Sequence, residues 1–270
     1  MRDVHVRDTL AALRAVAEGA IATHDSAATL LGLARPSPRP PGPVTLARPG
    51  VQDFDGPRLR LRGTEIPRAF VVRVDGVLTT DVRRTAVDLA RGLGLAQALI
   101  PLDAAARALV AARTQLDGNA LRRAVLAPEL RAYAARELAY AAASCRKHPG
   151  IVAVRNALPY VDPAAESPLE SRSRGWFLHA GLTSLRIGVP VSAGASVYWA
   201  DFYDDERQVV GEADGWSKYG DDVEEIRRSW AAEKRRQAAL ESAGMRVVRW
   251  TSEDTRATVT ARMRTALRRD

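Results

Sequence analysis

Residues 197–218 read VYWADFYDDERQVVGEADGWSK, and this stretch decides the fold that we predict for the chain. Its first part, Ser196–Tyr203, is rich in the aromatic and β-branched residues that favour β-strands. Polar residues at Asp204–Arg207 then suit a turn, and a second strand, Gln208–Asp214, ends at a glycine. The stretch therefore predicts a β-hairpin.

The predicted hairpin carries three acidic residues on one face. With its tip at residues 205–206, Asp201 lies opposite Val210 on the facing strand. Side chains alternate along a strand, so Asp201, Glu212 and Asp214 share one face. Carboxylates this close raise one another's pKa values unless a cation lies among them. The hairpin thus indicates a metal site.

Composition is that of a globular protein. The chain has 270 residues, 46% of them hydrophobic and 27% charged. We expect no membrane-spanning segment and no signal peptide. The single cysteine, Cys145, excludes an intramolecular disulfide and a cysteine-based zinc cluster, which favours the reducing cytoplasm.

The net charge of +8 and the pI of about 10.2 favour a polyanionic partner such as DNA. Almost all of the basic charge is arginine, which together with abundant alanine is also typical of a GC-rich genome. The basicity alone therefore leaves both interpretations open.

The first 150 residues predict an α+β region, a small sheet followed by helices. We expect a helix at Arg7–Glu18, a second short helix capped by Asp25 or Ser26, and a proline-rich loop at Ala34–Pro43. His24, before that cap, is interpreted as structural. Short strands follow at three places, Val44–Ala47, Arg58–Arg62 and Phe70–Val74.

The second of these strands carries an arginine face, interpreted as a solvated edge strand with phosphate contacts as the alternative. Residues Leu78–Asp81 are expected to open the helical part, which continues through Val82–Arg91, Leu95–Ala112 and Asn119–Ala143. Two acids within these helices, Asp88 and Asp103, are interpreted as caps or ion-pair partners.

The pattern loosens at residues 147–166, and we place a domain boundary there, with a second domain at 160–270. A helix starts at Ser167, with a proline at its first position and Glu170 at its third. A strand at Leu185–Val191 precedes the hairpin. A helix at Val223–Ala243, a strand at Met245–Trp250 and a final helix at Glu253–Arg268 follow. This order predicts an α/β domain with one mixed sheet flanked by helices.

Four elements of this second domain resemble the restriction-endonuclease-like (PD-(D/E)XK) superfamily, in its very-short-patch-repair-related branch. They are Glu170 on the first helix, Asp201 in the hairpin, the sequence EADG at residues 212–215, and EKRRQAALESAGMRVVRW at residues 233–250. The sequences THDSAATLLGL at 23–33 and LTTDVRRTAVDLAR at 78–91 resemble an AbiEi-type antitoxin region, which often precedes this domain in actinobacterial proteins.

The resemblance implies a Mg²⁺- or Mn²⁺-dependent endonuclease or nickase that hydrolyses DNA, in defence or DNA repair. It implies metal ligation by four carboxylates, Glu170, Asp201, Glu212 and Asp214. Three of these, together with Lys218, would be catalytic: Asp201, Glu212 and Asp214. Nucleic-acid contacts would come from Arg174, Lys234, Arg235 and Arg236. A cognate toxin or defence partner is also implied.

Two departures from the family pattern bear on this expectation. Asp214 stands where the superfamily places its catalytic lysine, so Lys218 or Lys234 would have to reach the site. Antitoxin-like proteins of this type also begin with a winged helix, and this chain starts too late to include one.

Each candidate has a structural interpretation. Glu170 suits a helix cap, Asp214 a turn before Gly215, and Lys218 a solvated loop. The basic residues of the helix at 223–243 also pair with acids at helical spacing. Three functions therefore remain: a metal-dependent nuclease, a non-catalytic regulatory DNA-binding protein that keeps the nuclease fold, and a protein-interaction module.

Overall fold

Two separate β-sheets organise the chain, one in each of two compact units, Met1–Pro163 and Ala164–Asp270. We call these unit 1 and unit 2. The computed structural model describes residues 2–15, 19–39, 41–194, 196–215 and 234–268. Both units combine helices with a mixed sheet, so the chain is an α/β protein.

Unit 1 is built on a six-stranded sheet of short strands, in the order β3-β4-β2-β1-β6-β5. The strands are β1 Ile21–Ala22, β2 Val44–Ala47, β3 Phe54–Asp55, β4 Leu59–Arg62, β5 Val71–Val74 and β6 Val77–Thr80. Helices α1 Arg2–Ala15 and α2 His24–Leu31 pack on this sheet around buried aliphatic side chains such as Leu30 and Leu46.

Two sequence-based expectations for this sheet are wrong. Residues 77–80 are a strand and not the start of a helix, because β6 pairs with both β1 and β5, and the helix begins only after Asp81. The arginine-bearing strand β4 is not an edge strand, since it pairs with β2 on one side and β3 on the other. Its Arg60 and Arg62 contact Asp55 of β3.

The helical part of unit 1 comprises α3 Val82–Ala90, α4 Leu95–Thr114, α5 Gly118–Ala124, α6 Pro128–Ser144 and α7 Ile151–Ala157. Helix α7 lies where the sequence pattern loosens and was not expected. It forms because Ile151, Val154 and Ala157 recur at helical spacing and are all buried. Asp88 is an ion-pair partner as expected, and the Asp103 carboxylate accepts the backbone N–H of Asp162.

Helix α4 is long and apolar enough to cross a membrane when only its length and composition are considered. It contacts α3, α6 and α7, and its apolar side chains, including Leu99, Leu102 and Val110, are buried against them. The hydrophobicity of this helix is therefore that of a core helix.

Unit 2 is built on a four-stranded sheet in the order β10-β9-β8-β7, with α8 Pro168–His179 and α10 Arg256–Leu267 packed against it. The strands are β7 Arg186–Ala193, β8 Ser196–Asp204, β9 Val209–Asp214 and β10 Arg246–Thr251. Strands β7, β8 and β9 form an antiparallel meander, and β10 adds in parallel to β9. Residues 234–242 are helical, and we call them α9.

Aromatic rings fill the core between this sheet and its helices. Phe177 of α8 lies with its ring nearly perpendicular to Phe202 at 5.1 Å and to Trp250 at 5.6 Å between ring centroids. The Trp250 indole donates a hydrogen bond to the Ser173 hydroxyl at 2.8 Å. A Cβ on Gly211 would lie 2.9 Å from both the Trp250 and Met263 side chains, so glycine is required under this cluster.

The hairpin forms, but its predicted register is wrong by two residues. Tyr203, not Asp201, lies opposite Val210, and the turn runs through residues 205–208. Asp204 explains the longer turn, because its carboxylate accepts hydrogen bonds from the Arg207 backbone N–H at 2.8 Å and from the Ser184 hydroxyl. A shift of two leaves the alternation unchanged, so the acids keep their predicted face.

Two helix starts also differ from the sequence-based expectation. The N-cap of α2 is Thr23, not Asp25 or Ser26. The final helix begins at Arg256 instead of Glu253, because Thr255 caps it by accepting the backbone N–H of Thr258. In both cases a threonine in extended conformation precedes the helix.

Candidate active site

Glu170 lies in the first turn of α8, with a buried side chain. Ser167 caps the helix by accepting the Glu170 backbone N–H at 3.2 Å, and the Glu170 carboxylate accepts the Glu166 backbone N–H at 2.8 Å. The capping role expected from the sequence is therefore present. It occupies one carboxylate oxygen, and ligation of a cation would use the other.

The pKa of Glu170 is raised to about 8, first by burial and then by the nearby negative charge of Asp201. At neutral pH this carboxyl group is mostly protonated. The structure thus brings the helix acid and the first hairpin acid into electrostatic contact.

Asp201 lies where strands β8 and β9 stop pairing. The ladder between these strands ends with the pair Phe202 and Gly211, and the Asp201 carboxylate accepts the Ala213 backbone N–H at 2.8 Å. The side chain thus replaces a backbone acceptor for β9. This position holds Asp201 beside the residues that flank Ala213, which are Glu212 and Asp214.

Glu212 is almost fully buried, at 1% side-chain exposure, and forms an ion pair with Arg236 of α9. The Arg236 guanidinium donates to the carboxylate at 2.6 Å and to the Trp199 backbone carbonyl at 2.5 Å. A charge-assisted contact of this kind offsets part of the cost of burying the carboxylate. The sequence left two alternatives for Arg236, a solvated helix face and a nucleic-acid contact; in the structure its guanidinium contacts strands β8 and β9.

Asp214 is more exposed and pairs with Arg249 of β10, whose guanidinium lies 3.1 Å from its carboxylate. The parallel register of β9 and β10 places Thr251 beside Asp214 and Arg249 beside Glu212. The sequence contained a signal for this contact, because Arg249 alternates with the core residue Trp250 and must face the same side as the acids.

The remaining candidate residues are the basic side chains predicted to act in catalysis or to bind DNA. Lys218 falls outside the described residues. Lys234 and Arg235 are exposed at the start of α9, and Arg174 is half-buried on α8. A neighbouring arginine of α8, Arg172, stacks over the Trp176 ring at 5.0 Å and was not predicted.

The four acids therefore divide into two pairs with different environments. The negative charge of Asp201 acts on the buried carboxyl group of Glu170, whereas Glu212 and Asp214 each contact an arginine. Within the part of the chain that the structure describes, no three His, Cys, Asp or Glu side chains form a ready-made metal cluster. A cation at this site would be held by oxygen donors, which suits Mg²⁺ or Mn²⁺.

Comparison with known proteins gives relatives but no function. The chain is 29% identical over 189 residues to two proteins of Mycobacterium tuberculosis, "Uncharacterized protein MT2308" of strain CDC 1551 / Oshkosh and "Uncharacterized protein Rv2248" of strain ATCC 25618 / H37Rv. The aligned segment spans 70% of this chain and 60% of each relative. No family model matches the chain. No solved structure matches it significantly.

Proposed function

We propose that unit 2 is a Mg²⁺- or Mn²⁺-dependent DNA endonuclease or nickase of the restriction-endonuclease-like class. One observation carries the proposal: Glu170 is buried near the half-buried Asp201, and burial first and the negative charge of Asp201 second raise the pKa of Glu170 to about 8. Such an arrangement costs stability and is typical of sites that bind a cation or move a proton.

The residues of the site would divide the chemistry among them. Glu170 and Asp201 would hold the metal, and Glu212 and Asp214 would complete its ligands on release from Arg236 and Arg249. The metal, when bound, supplies an activated water and a counter-charge for the phosphate. Arg236, once displaced from Glu212, lies close enough to the site to neutralise a phosphate oxygen. Lys218, on the strength of the family resemblance, would orient the water or stabilise developing charge.

DNA contacts are proposed for the exposed basic side chains of Lys234 and Arg235 on α9 and for the half-buried Arg174, which lies one turn after Glu170 on α8. The net charge of +8 would favour binding through the phosphate backbone, with an affinity that falls steeply with salt. A cytoplasmic location and a cognate toxin or defence partner belong to the same proposal.

Plasmid nicking tests this function. The purified chain is incubated with supercoiled plasmid and Mg²⁺ or Mn²⁺, beside an Asp201→Asn variant and a matched Asp205→Asn control, which changes an exposed acid of the same hairpin. We expect metal-dependent nicking by wild type and by the control, and at least a hundredfold loss in Asp201→Asn. Absence of nicking by wild type, or unchanged nicking in Asp201→Asn, would overturn the proposal.

A second function is favoured by a different observation. The guanidinium groups of Arg236 and Arg249 already balance the negative charges of Glu212 and Asp214, so a metal ion would stabilise these two acids less. A regulatory, antitoxin-like DNA-binding protein that keeps this fold without catalysis would show that charge pattern. Salt-dependent retardation of DNA without nicking in the same assay would favour this alternative.

A further inference from the structure

Unit 1 contains a cavity of about 430 Å³ that the proposed nuclease function does not use. It opens between the start of α2, the residues that follow β4, helix α3 and the turn after α6. Its volume lies in the range of small-molecule sites. Charged and titratable side chains line it, among them His24, Arg62, Arg84, Asp88, Arg91 and His148.

His24 is held in a strained conformation at the mouth of this cavity. Its φ of +50° lies in the left-handed region, which non-glycine residues seldom adopt and which is enriched at functional sites. The Arg91 guanidinium lies 3.2 Å from Nε2, and the Thr23 hydroxyl lies 3.1 Å from Nδ1. Because a guanidinium only donates, Nε2 accepts and Nδ1 carries the proton. The fold thus fixes both the ring position and its tautomer.

Three charged residues of α3 and its end form the floor of the cavity. Asp88, at 1% side-chain exposure, lies 2.9 Å from the guanidinium of Arg84 and 3.3 Å from that of Arg91. One carboxylate is thus shared by two guanidinium groups, and one positive charge remains. Burial, together with Arg84 and Arg91, lowers the pKa values of His24 and His148, so both rings are neutral at pH 7.

Two donor-bearing groups of this cluster lack hydrogen-bond partners among the described residues. They are the buried Nε of Arg91 and the buried Nδ1 of His148. Unsatisfied buried nitrogen atoms are costly, and native proteins tolerate them mainly where a ligand, ion or water completes them. Both atoms belong to residues that line the cavity.

The walls of the cavity are held by close backbone contacts at two glycines. A Cβ on Gly63 would lie 1.9 Å from the Val51 carbonyl oxygen, and one on Gly150 would lie 2.5 Å from the Gly92 nitrogen. The Arg91 guanidinium also donates to the Pro149 carbonyl at 3.3 Å. These contacts fix the loops around the cluster, so the cavity is preformed.

We propose that this cavity binds the phosphate group of a small phosphate monoester. Three arginines, Arg62, Arg84 and Arg91, and two acids, Asp53 and Asp88, line the cavity, and this excess of positive charge favours an anion over a metal cation. A phosphate dianion can accept from the Nε–H of Arg91 and from Nδ1 of His148 when that atom carries the ring proton. His24, whose Nε2 accepts from Arg91, holds that guanidinium in place. A phosphate monoester also carries up to two negative charges, where a carboxylate carries one. The volume exceeds what inorganic phosphate needs, so an organic group is part of the ligand.

Calorimetric titration of the full chain tests the assignment with three probes, inorganic phosphate, ribose 5-phosphate and adenosine 5′-monophosphate. We expect at least one monoester to bind at least tenfold more tightly than inorganic phosphate. Substitutions His24→Asn and Arg91→Gln should weaken that binding at least tenfold, whereas Arg60→Gln, which changes an arginine outside the cavity, should leave it unchanged. Asparagine tolerates the left-handed conformation of His24, so the first variant preserves the backbone.

A measurement on the unaltered protein covers the case in which a variant unfolds. The chain has four histidines, His5, His24, His148 and His179. In ¹H–¹⁵N spectra of the imidazole rings, the bound monoester should shift the signals of His24 and His148 and leave those of His5 and His179 in place. No monoester binding, equal binding of inorganic phosphate, or equal shifts of all four rings would overturn the proposal.

Discussion

The two units bury charge in opposite ways. In unit 1, the single carboxylate of Asp88 lies between two arginines, and burial keeps the adjacent histidines neutral. In unit 2, acidic groups predominate: burial and the nearby charge of Asp201 raise the pKa of Glu170, and an arginine contacts Glu212. A buried group of charges with a positive excess favours an anionic ligand, and one with a negative excess favours a cation.

This difference predicts which buried acid contributes to stability and which contributes to function. Asp88 is compensated within the protein, so removing it should mainly destabilise unit 1. Glu170 is not fully compensated, so removing its charge should stabilise unit 2 while abolishing metal binding. A buried acid that is not fully compensated lowers stability, and such a cost is expected at sites selected for activity.

The largest effect should follow substitution of Asp88 by asparagine. This change leaves Arg84, at 2% side-chain exposure, without its carboxylate and should lower the free energy of unfolding by about 3–5 kcal/mol. Urea denaturation followed by circular dichroism measures the loss. Asp55→Asn, which affects an exposed ion pair on β3, is the matched control and should change stability little. Equal effects of the two variants would contradict the comparison.

The substitution Glu170→Gln should instead raise the free energy of unfolding. The folded-state pKa of about 8 lies above the unfolded value, so wild type loses stability as the pH rises from about 4.5 to 8. Without metal, the variant should be more stable by roughly 4 kcal/mol at pH 8 and only slightly so at pH 4.5, since each unit of the pKa shift from 4.5 to about 8 is worth about 1.4 kcal/mol.

The control for this substitution is Glu129→Gln, which changes an exposed acid in the first turn of α6. Its stability difference should not vary over the same pH range. A stability gain of Glu170→Gln that is independent of pH would mean that packing, and not the carboxyl charge, distinguishes the variant.

Arg236→Gln tests whether an arginine takes the place of a metal in unit 2. Losing the guanidinium contact with the buried Glu212 should cost about 1.5–3 kcal/mol in the presence of a chelator. Mg²⁺ should restore most of this stability, because the freed carboxylate becomes a ligand. Arg235→Gln, on the exposed neighbour in α9, should show neither effect. Failure of Mg²⁺ to restore stability would favour the non-catalytic interpretation.

The smallest effect concerns the pH dependence of metal binding. A metal that binds Glu170 must displace its proton, so Mg²⁺ affinity should rise up to tenfold per pH unit below about pH 8 and level off above it. Thermal unfolding at several Mg²⁺ concentrations and pH values measures this change. In Glu170→Gln the slope should disappear, and a slope that persists would assign the proton to another group.

Local patterns predicted most elements and missed those that depend on distant partners. The start of α8 was predicted because a serine, a proline and Glu170 lie at the first positions of one helix. Strand β6 was missed because two threonines after Val77 and Leu78 become a strand only when β1 and β5 pair with them. The hairpin register was missed because Ser184, distant in sequence, holds the Asp204 turn.

The sequence by itself determined that three strand acids share a face and that a helix capped by Ser167 carries Glu170 in its first turn, because alternation and capping act over a few residues. Only the tertiary structure decided that Glu170 meets Asp201, that Arg236 meets Glu212, and that Arg84 and Arg91 share Asp88. Burial and Coulomb energy depend on distances in space, and those distances are set by packing.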